Sequence, residues 1–153
     1  MLGQADKLFC LSVRPDFSVA SYSVCIVNGV KYLSIDHDSR RITQNSGVSI
    51  IGSNDGTLPD YFGVLEQVLE LTYVKQAYHV LLLKCKWFDT SPRRNNTVYE
   101  EHFTTLRTDK EWYKDEPFIF ASQARQVFYT NDPLKAANGI PCKIIHIFSH
   151  RHL

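Results

Sequence analysis

Long apolar runs are missing from this chain. No window approaches the length of about 20 apolar residues that a membrane-spanning helix needs. The first apolar stretch, Leu8 to Val13, is shorter and more broken than a secretory leader requires, so an intracellular protein is expected, nuclear or cytoplasmic. An excess of one charge is missing too. Seventeen basic side chains face sixteen acidic ones, for a net charge of +1, so there is no global field to draw in DNA or an anionic membrane. Any nucleic-acid binding would need a local patch.

Paired cysteine motifs are absent. Cys10, Cys25, Cys85 and Cys142 are widely spaced and are expected to be reduced, mostly buried thiols. There is no serine-centred elbow, phosphate loop or paired-carboxylate motif. His79 and Cys85 share one face of a strand but lie too far apart to form a dyad, and both are expected in the core. Glu66 and Glu70 read as the polar face of their segment. The chain is therefore expected to be neither an enzyme nor a carrier of a cofactor, with no small-molecule substrate. No internal repeat, low-complexity segment or dividing linker appears either.

What is present is enough apolar material for one core. The 153 residues are 44% apolar and 12% aromatic, which fits a single globular domain. Its expected limits are residues 17–148, with residues 1–16 as an N-terminal extension and 149–153 as a tail. Tyr22 to Val27 and Val30 to Ile35 are apolar and β-branched, and they are separated by Asn28-Gly29, a pair suited to the positive φ angles of a type I′ turn. A β-hairpin is predicted there. The polar stretch from Asp36 to Ser46 is predicted to be a surface loop, and Gly47 to Ser53 a short strand.

Tyr61 to Tyr73 fits either a helix stripe, through Val64, Leu65, Val68, Leu69 and Leu71, or a strand. The alternation that begins at His79, with Leu81, Leu83, Cys85 and Trp87 on one face, marks the next run as a strand. The short gap between the two favours a hairpin, though the residues alone leave helix or strand open at 61–73. Thr97 to Leu106 is read as another strand. Phe118 to Phe120 and Gln126 to Thr130 are read as core strands joined by Ala121 to Ala124. Asn131-Asp132-Pro133 is read as a turn, and Lys143 to Phe148 as a closing strand.

Four segments carry a resemblance to a known family. They are Asp38 to Val48, Tyr61-Phe62-Gly63-Val64-Leu65-Glu66, Leu83-Lys84-Cys85-Lys86-Trp87-Phe88-Asp89, and Glu116 to Pro133. In order and spacing, over roughly Tyr22 to Pro133, the chain resembles the plant domain of unknown function (family 4216) found beside the transposase region of CACTA, or En/Spm-type, transposons. It departs from that pattern around Phe103-Thr104, and after Pro133, where Ala136 to Pro141 leads into a basic tail. Because little precedes the domain, a truncated or domesticated copy is expected. The resemblance implies plant origin, a nuclear setting and a non-catalytic accessory role. A weaker similarity of shape, through Lys86-Trp87-Phe88-Asp89-Thr90 and Glu116 to Ser122, is to the chromatin-associated bromo-adjacent-homology domains. The fold expected is mainly β: an SH3-like or bromo-adjacent-homology-like barrel, or a bent sheet, of about seven or eight short strands with little helix.

Three sets of residues are candidate sites. Arg40 and Arg41, with Gln44 and Asn45, offer donors that could clamp a phosphate or carboxylate; the plainer reading is a loop whose side chains cap its own turns. Arg93 and Arg94 could extend that basic surface. Trp87, Phe88, Trp112 and Tyr113, with Tyr61 and Phe62, could cage a methylated lysine, against the commoner role of strand aromatics in a core. Cys142, His146, His150 and His152 have the only metal-like spacing, set against convergence on one ion from a strand and a chain end. The leading expectation is a transposon-derived protein-interaction module that binds another protein or a second copy of itself. The alternative is a chromatin- or DNA-binding module using the arginines and aromatics, and the remotest a metal-binding protein.

Overall fold

One long hairpin organises the molecule. In the computed structural model, which describes residues 5, 8, 9, 12–16, 18–74, 77–91, 96–101 and 103–147, strand β5 (Tyr61–Tyr73) pairs antiparallel with β6 (Tyr78–Phe88) from Gly63↔Trp87 to Tyr73↔Tyr78. Strand wins over helix at 61–73 because β5 finds ladder partners on both edges. β6 takes one edge; β4 (Gly47–Ile50) and β1 (Val19–Tyr22) share the other. The register shifts between Leu65 and Gln67, leaving Glu66 as the extra residue of a bulge.

The remaining strands extend this spine. β9 (Glu111–Trp112) and β10 (Phe118–Phe120) line the outer edge of β6. β11 (Arg125–Asn131) joins β4 to β12 (Cys142–Ile147), followed by β8 (Thr104–Arg107) and β7 (Thr97–Tyr99). The result is a single-domain, curled antiparallel half-barrel. β2 (Val24–Val27) and β3 (Val30–Leu33) form a separate hairpin, and the positive φ angles of Asn28 (50°) and Gly29 (78°) close it as the sequence predicts. Among the described residues helix is confined to short pieces, including the single turn α1 (Ile35–Asp38), a 3₁₀ turn over Ala121–Gln123, and α2 (Pro133–Ala137).

Two cores lie on opposite faces of the hairpin. Cys25, Tyr32, Val48, Leu65, Val68, Leu83, Cys85 and Trp87 pack beneath the β2–β3 hairpin. Phe62, Phe88, Leu106, Val127, Tyr129 and Ile145 pack within the curl of β11, β12 and β8. Gly47 lets the curl close, because a Cβ there would lie 2.1 Å from the Val127 carbonyl oxygen. Burial pushes the Cys25 and Cys85 thiols above their ordinary range, as expected of inert core cysteines.

Several sequence expectations are corrected. Among the described residues there are twelve strands, because the run from Thr97 splits into the β7–β8 hairpin and the stretch around Trp112 contributes β9. Phe118 and Phe120 are 47% and 51% exposed; β10 turns Ile119 inward instead. His79 is exposed and pairs with Glu70 at 2.6 Å. Asp132 is the N-cap of α2, accepting from Leu134 N and Lys135 N, so the segment read as a turn begins a helix. The stretch read as a surface loop opens with α1 and buries Asp38.

Candidate binding surfaces

The segment after α1 is held by its own polar side chains. The Asp38 carboxylate accepts from Asn45 N (2.8 Å) and Ser46 N (3.0 Å), which satisfies both of its oxygens inside the protein. Gln44 donates through Nε2 to the Tyr129 carbonyl (2.7 Å) and accepts through Oε1 from Tyr129 N (3.0 Å). It therefore continues the β4 edge along β11 with a side chain in place of backbone. Asn45 Nδ2 donates to the Lys31 carbonyl (3.3 Å). Gln44 and Asn45, singled out as ligand contacts, are structural clamps.

The clamps shape a cavity of about 330 Å³ between this segment and the curl, lined by Ile35, Asp38, Ser39, Arg41, Ile42, Gln44, Ser46, Val64, Phe88, Tyr129 and Lys143. Tyr129 is fixed there: its hydroxyl donates to the Gly63 carbonyl (2.8 Å), and its ring stands edge-on to Phe88 with centroids 5.8 Å apart. Burial raises its pKa well above the ordinary tyrosine value. Of the predicted residues, the structure brings Arg41, Gln44 and Phe88 together here. Sequence reasoning missed Tyr129 and Lys143 as members, because only the β11–β12 pairing carries them to the loop.

The other predicted residues disperse. Arg40 is exposed and does not line the cavity. Arg93 and Arg94 lie outside the described residues, as do His150, His152 and Cys10. Trp87 is buried on the face opposite Phe88, with its Nε1 donating to the Pro117 carbonyl (3.2 Å). Trp112 and Tyr113 stack on each other at 4.9 Å, and Tyr113 meets Tyr61 at 5.7 Å. These rings fill the space a methylated ammonium would need between them, so the aromatics form a packed cluster in place of the suggested cage. Cys142 and His146 lie four residues apart on β12, about 13 Å along an extended strand. His146 Nε2 is instead 2.8 Å from Thr130 Oγ1. That separation prevents the two from sharing one metal ion.

A second surface has no counterpart in the sequence reading. Beyond the bulge, strand alternation and register place Leu69, Leu71, Val80, Leu82, Val19, Phe118 and Phe120 on one face of the four-stranded arm β1-β5-β6-β10. None belongs to either core. Val19 is 50% exposed, and the four aliphatic side chains of β5 and β6 are half-buried. Gln67, Lys84 and Lys86 separate this face from the Phe62 core, and Tyr73 and Tyr78 close its tip with ring centroids 6.3 Å apart. Near the body the opposite face packs into the first core through Val68, Leu81 and Leu83, and on it Glu70 accepts from Tyr22 Oη (2.9 Å). That hydrogen bond and the neighbouring His79 hold the Glu70 carboxyl below its ordinary pKa.

Residues 69–139 match the family model Domain of unknown function (DUF4216). The match supports a DUF4216 domain over this span, which runs from within the arm through β6 to α2. It covers the open face from Leu69 onward and the Phe88–Tyr129 floor of the cavity, whereas the clamp segment and Lys143 lie outside it. No curated protein and no solved structure matches the chain. Among the described residues, no helix is long and apolar enough to cross a membrane.

Proposed function

We propose that this protein is a non-catalytic interaction module that self-associates through the open face of its arm. The observation that carries the reading is the apolar face itself. Leu69, Leu71, Val80, Leu82 and Phe120 form a contiguous surface that belongs to neither core. Isolated apolar residues on a surface need no explanation, whereas a contiguous patch marks a contact site. The occupant we assign is a second copy. Two such faces related by a two-fold axis stack as a sheet sandwich, about 10 Å apart, and each buries what the other exposes.

Size sets the strength. Four strands about 4.8 Å apart and six residues at about 3.3 Å each give a face of roughly 400 Å², against about 800 Å² per partner in a stable complex. Self-association is therefore weak and concentration-dependent. β1, whose outer edge has no strand partner among the described residues, can add backbone pairing. The resemblance to the transposon-associated plant domain supports a transposon-derived origin and a nuclear setting for the module, which a fluorescent fusion in plant cells tests.

Sedimentation equilibrium from micromolar to millimolar concentration tests the association. The expected result is a monomer–dimer equilibrium that Leu71→Lys combined with Phe120→Glu abolishes while leaving the circular dichroism spectrum unchanged. A wild-type chain that stays monomeric throughout, or a dimer indifferent to both substitutions, overturns the reading.

A further inference from the structure

The cavity beside the clamp segment combines three properties that the arm does not. Its floor is apolar and rigid: Val64, Phe88 and Tyr129 are held by the Tyr129–Gly63 hydrogen bond and by both Gln44 bonds to the Tyr129 backbone. Its rim is cationic. Arg41 and Lys143 both line it, and among the described residues neither forms an ion pair. Among the described residues Asp38 is the only carboxylate in the lining, and its two oxygens accept from Asn45 N and Ser46 N. Two cations thus face one carboxylate, and the rim keeps a net positive charge. Finally, Ile42 stands fully exposed beside the opening.

We propose that this cavity receives a short segment of a partner protein in which an apolar or aromatic side chain is flanked by Asp or Glu. The apolar side chain enters over Val64, Phe88 and Tyr129. The flanking carboxylates meet Arg41 and Lys143 in charge-assisted hydrogen bonds, the stronger class of such contacts. At about 330 Å³ the cavity sits at the small end of the ligand-site range, about 300–1,000 Å³. It admits one large side chain, and the rest of the segment lies across the rim and covers Ile42. A free small carboxylate would leave Ile42 uncovered. A duplex is disfavoured because its bases are paired and stacked inside it, so it has no apolar side chain to insert over this floor.

The test is an amide-shift titration of the full ¹⁵N-labelled chain with the blocked peptide Gly-Asp-Phe-Asp-Gly. Parallel arms use Gly-Asn-Phe-Asn-Gly, Gly-Lys-Phe-Lys-Gly, phenylacetate and a short DNA duplex. The acidic peptide is expected to shift the amides of Arg41, Ile42, Gln44, Phe88 and Lys143. Exchanging Asp for Asn in the peptide, or combining Arg41→Gln with Lys143→Gln in the protein, should weaken binding about tenfold or more, the loss of one to two charge-assisted contacts. Arg41→Glu with Lys143→Glu should reverse the preference toward the lysine peptide. That reversal is a gain a misfolded variant cannot show. The proposal is overturned if the acidic peptide leaves these amides unmoved or if the three peptides bind alike. Phenylacetate binding as tightly, or the duplex binding more tightly at the same amides, overturns it as well. Because neither Leu71 nor Phe120 lines the cavity, the same titration on Leu71→Lys with Phe120→Glu separates failure here from failure of the self-association reading.

Discussion

The long hairpin passes through two environments. In the body, near the bulge, both of its faces are covered: Leu65 and Trp87 on one side, Phe62 and Phe88 on the other. In the arm Val68 and Leu83 pack into the first core on one face, while Leu69, Leu71, Val80 and Leu82, on the other, belong to neither core among the described residues. The composition of the two regions is similar. Val80-Leu81-Leu82-Leu83 reads as a continuous apolar run of the kind found in strands buried on both faces. Among the described residues no layer packs on the other face of this arm, and the proposed second copy supplies one.

Breaking the body should cost most. Leu65→Ala, at a fully buried position of the first core, should lower unfolding free energy by about 2–5 kcal/mol in denaturant melts. Gly47→Ala drives a Cβ into backbone at the β4–β11 crossing and should cost about 1–3 kcal/mol or more. A loss below that shows the curl to be softer than the sheet it bends. Tyr129→Phe removes the hydroxyl bonded to Gly63 and should cost about 1–2 kcal/mol in the same assay, without disturbing the arm.

High pH sharpens the same contrast. Burial pushes Tyr32 up to about 12, against about 10 in the unfolded chain. Because the folded value is raised, the neutral phenol favours the fold. That contribution is fully present below about pH 10 and is lost as pH rises toward 12. Tyrosinate absorbance should therefore show body tyrosines ionising only with unfolding, after the exposed tyrosines have titrated. The smallest effect belongs to the arm: Leu71→Ala should shift monomer stability by less than about 1 kcal/mol. Its main consequence should appear in sedimentation, as weaker self-association. A body-sized loss of stability at Leu71 would show that the open face is part of the folding core.

Much of the scaffold was legible in the chain. Asn28-Gly29 marked its hairpin, and the alternation from His79 marked β6 and the face it buries. Phe118 to Phe120 was recognised as a strand, but three residues carry too little alternation to fix its inward face, and Ile119 took that place. Asp38 and Gln44 looked like loop polarity. Asp38 holds Asn45 and Ser46 within its own loop, in line with the plainer self-capping reading, whereas the Gln44 bonds to the Tyr129 backbone span 85 residues and left no local signal. Of the cavity, Arg41, Gln44 and Phe88 were in view, whereas Lys143 and Tyr129 were not.

By itself the sequence determined that this is a mainly β domain, since alternation and turn chemistry act over a few residues and can be read from neighbours. Only the tertiary structure decided which apolar faces are covered. That outcome depends on the bulge at Glu66, the closure permitted by Gly47 and the reach of β11 from β4 to β12, all of which join residues distant in the chain. Apolar side chains state a need for burial, but the pairing of remote strands determines where the protein meets it and where it leaves the need open.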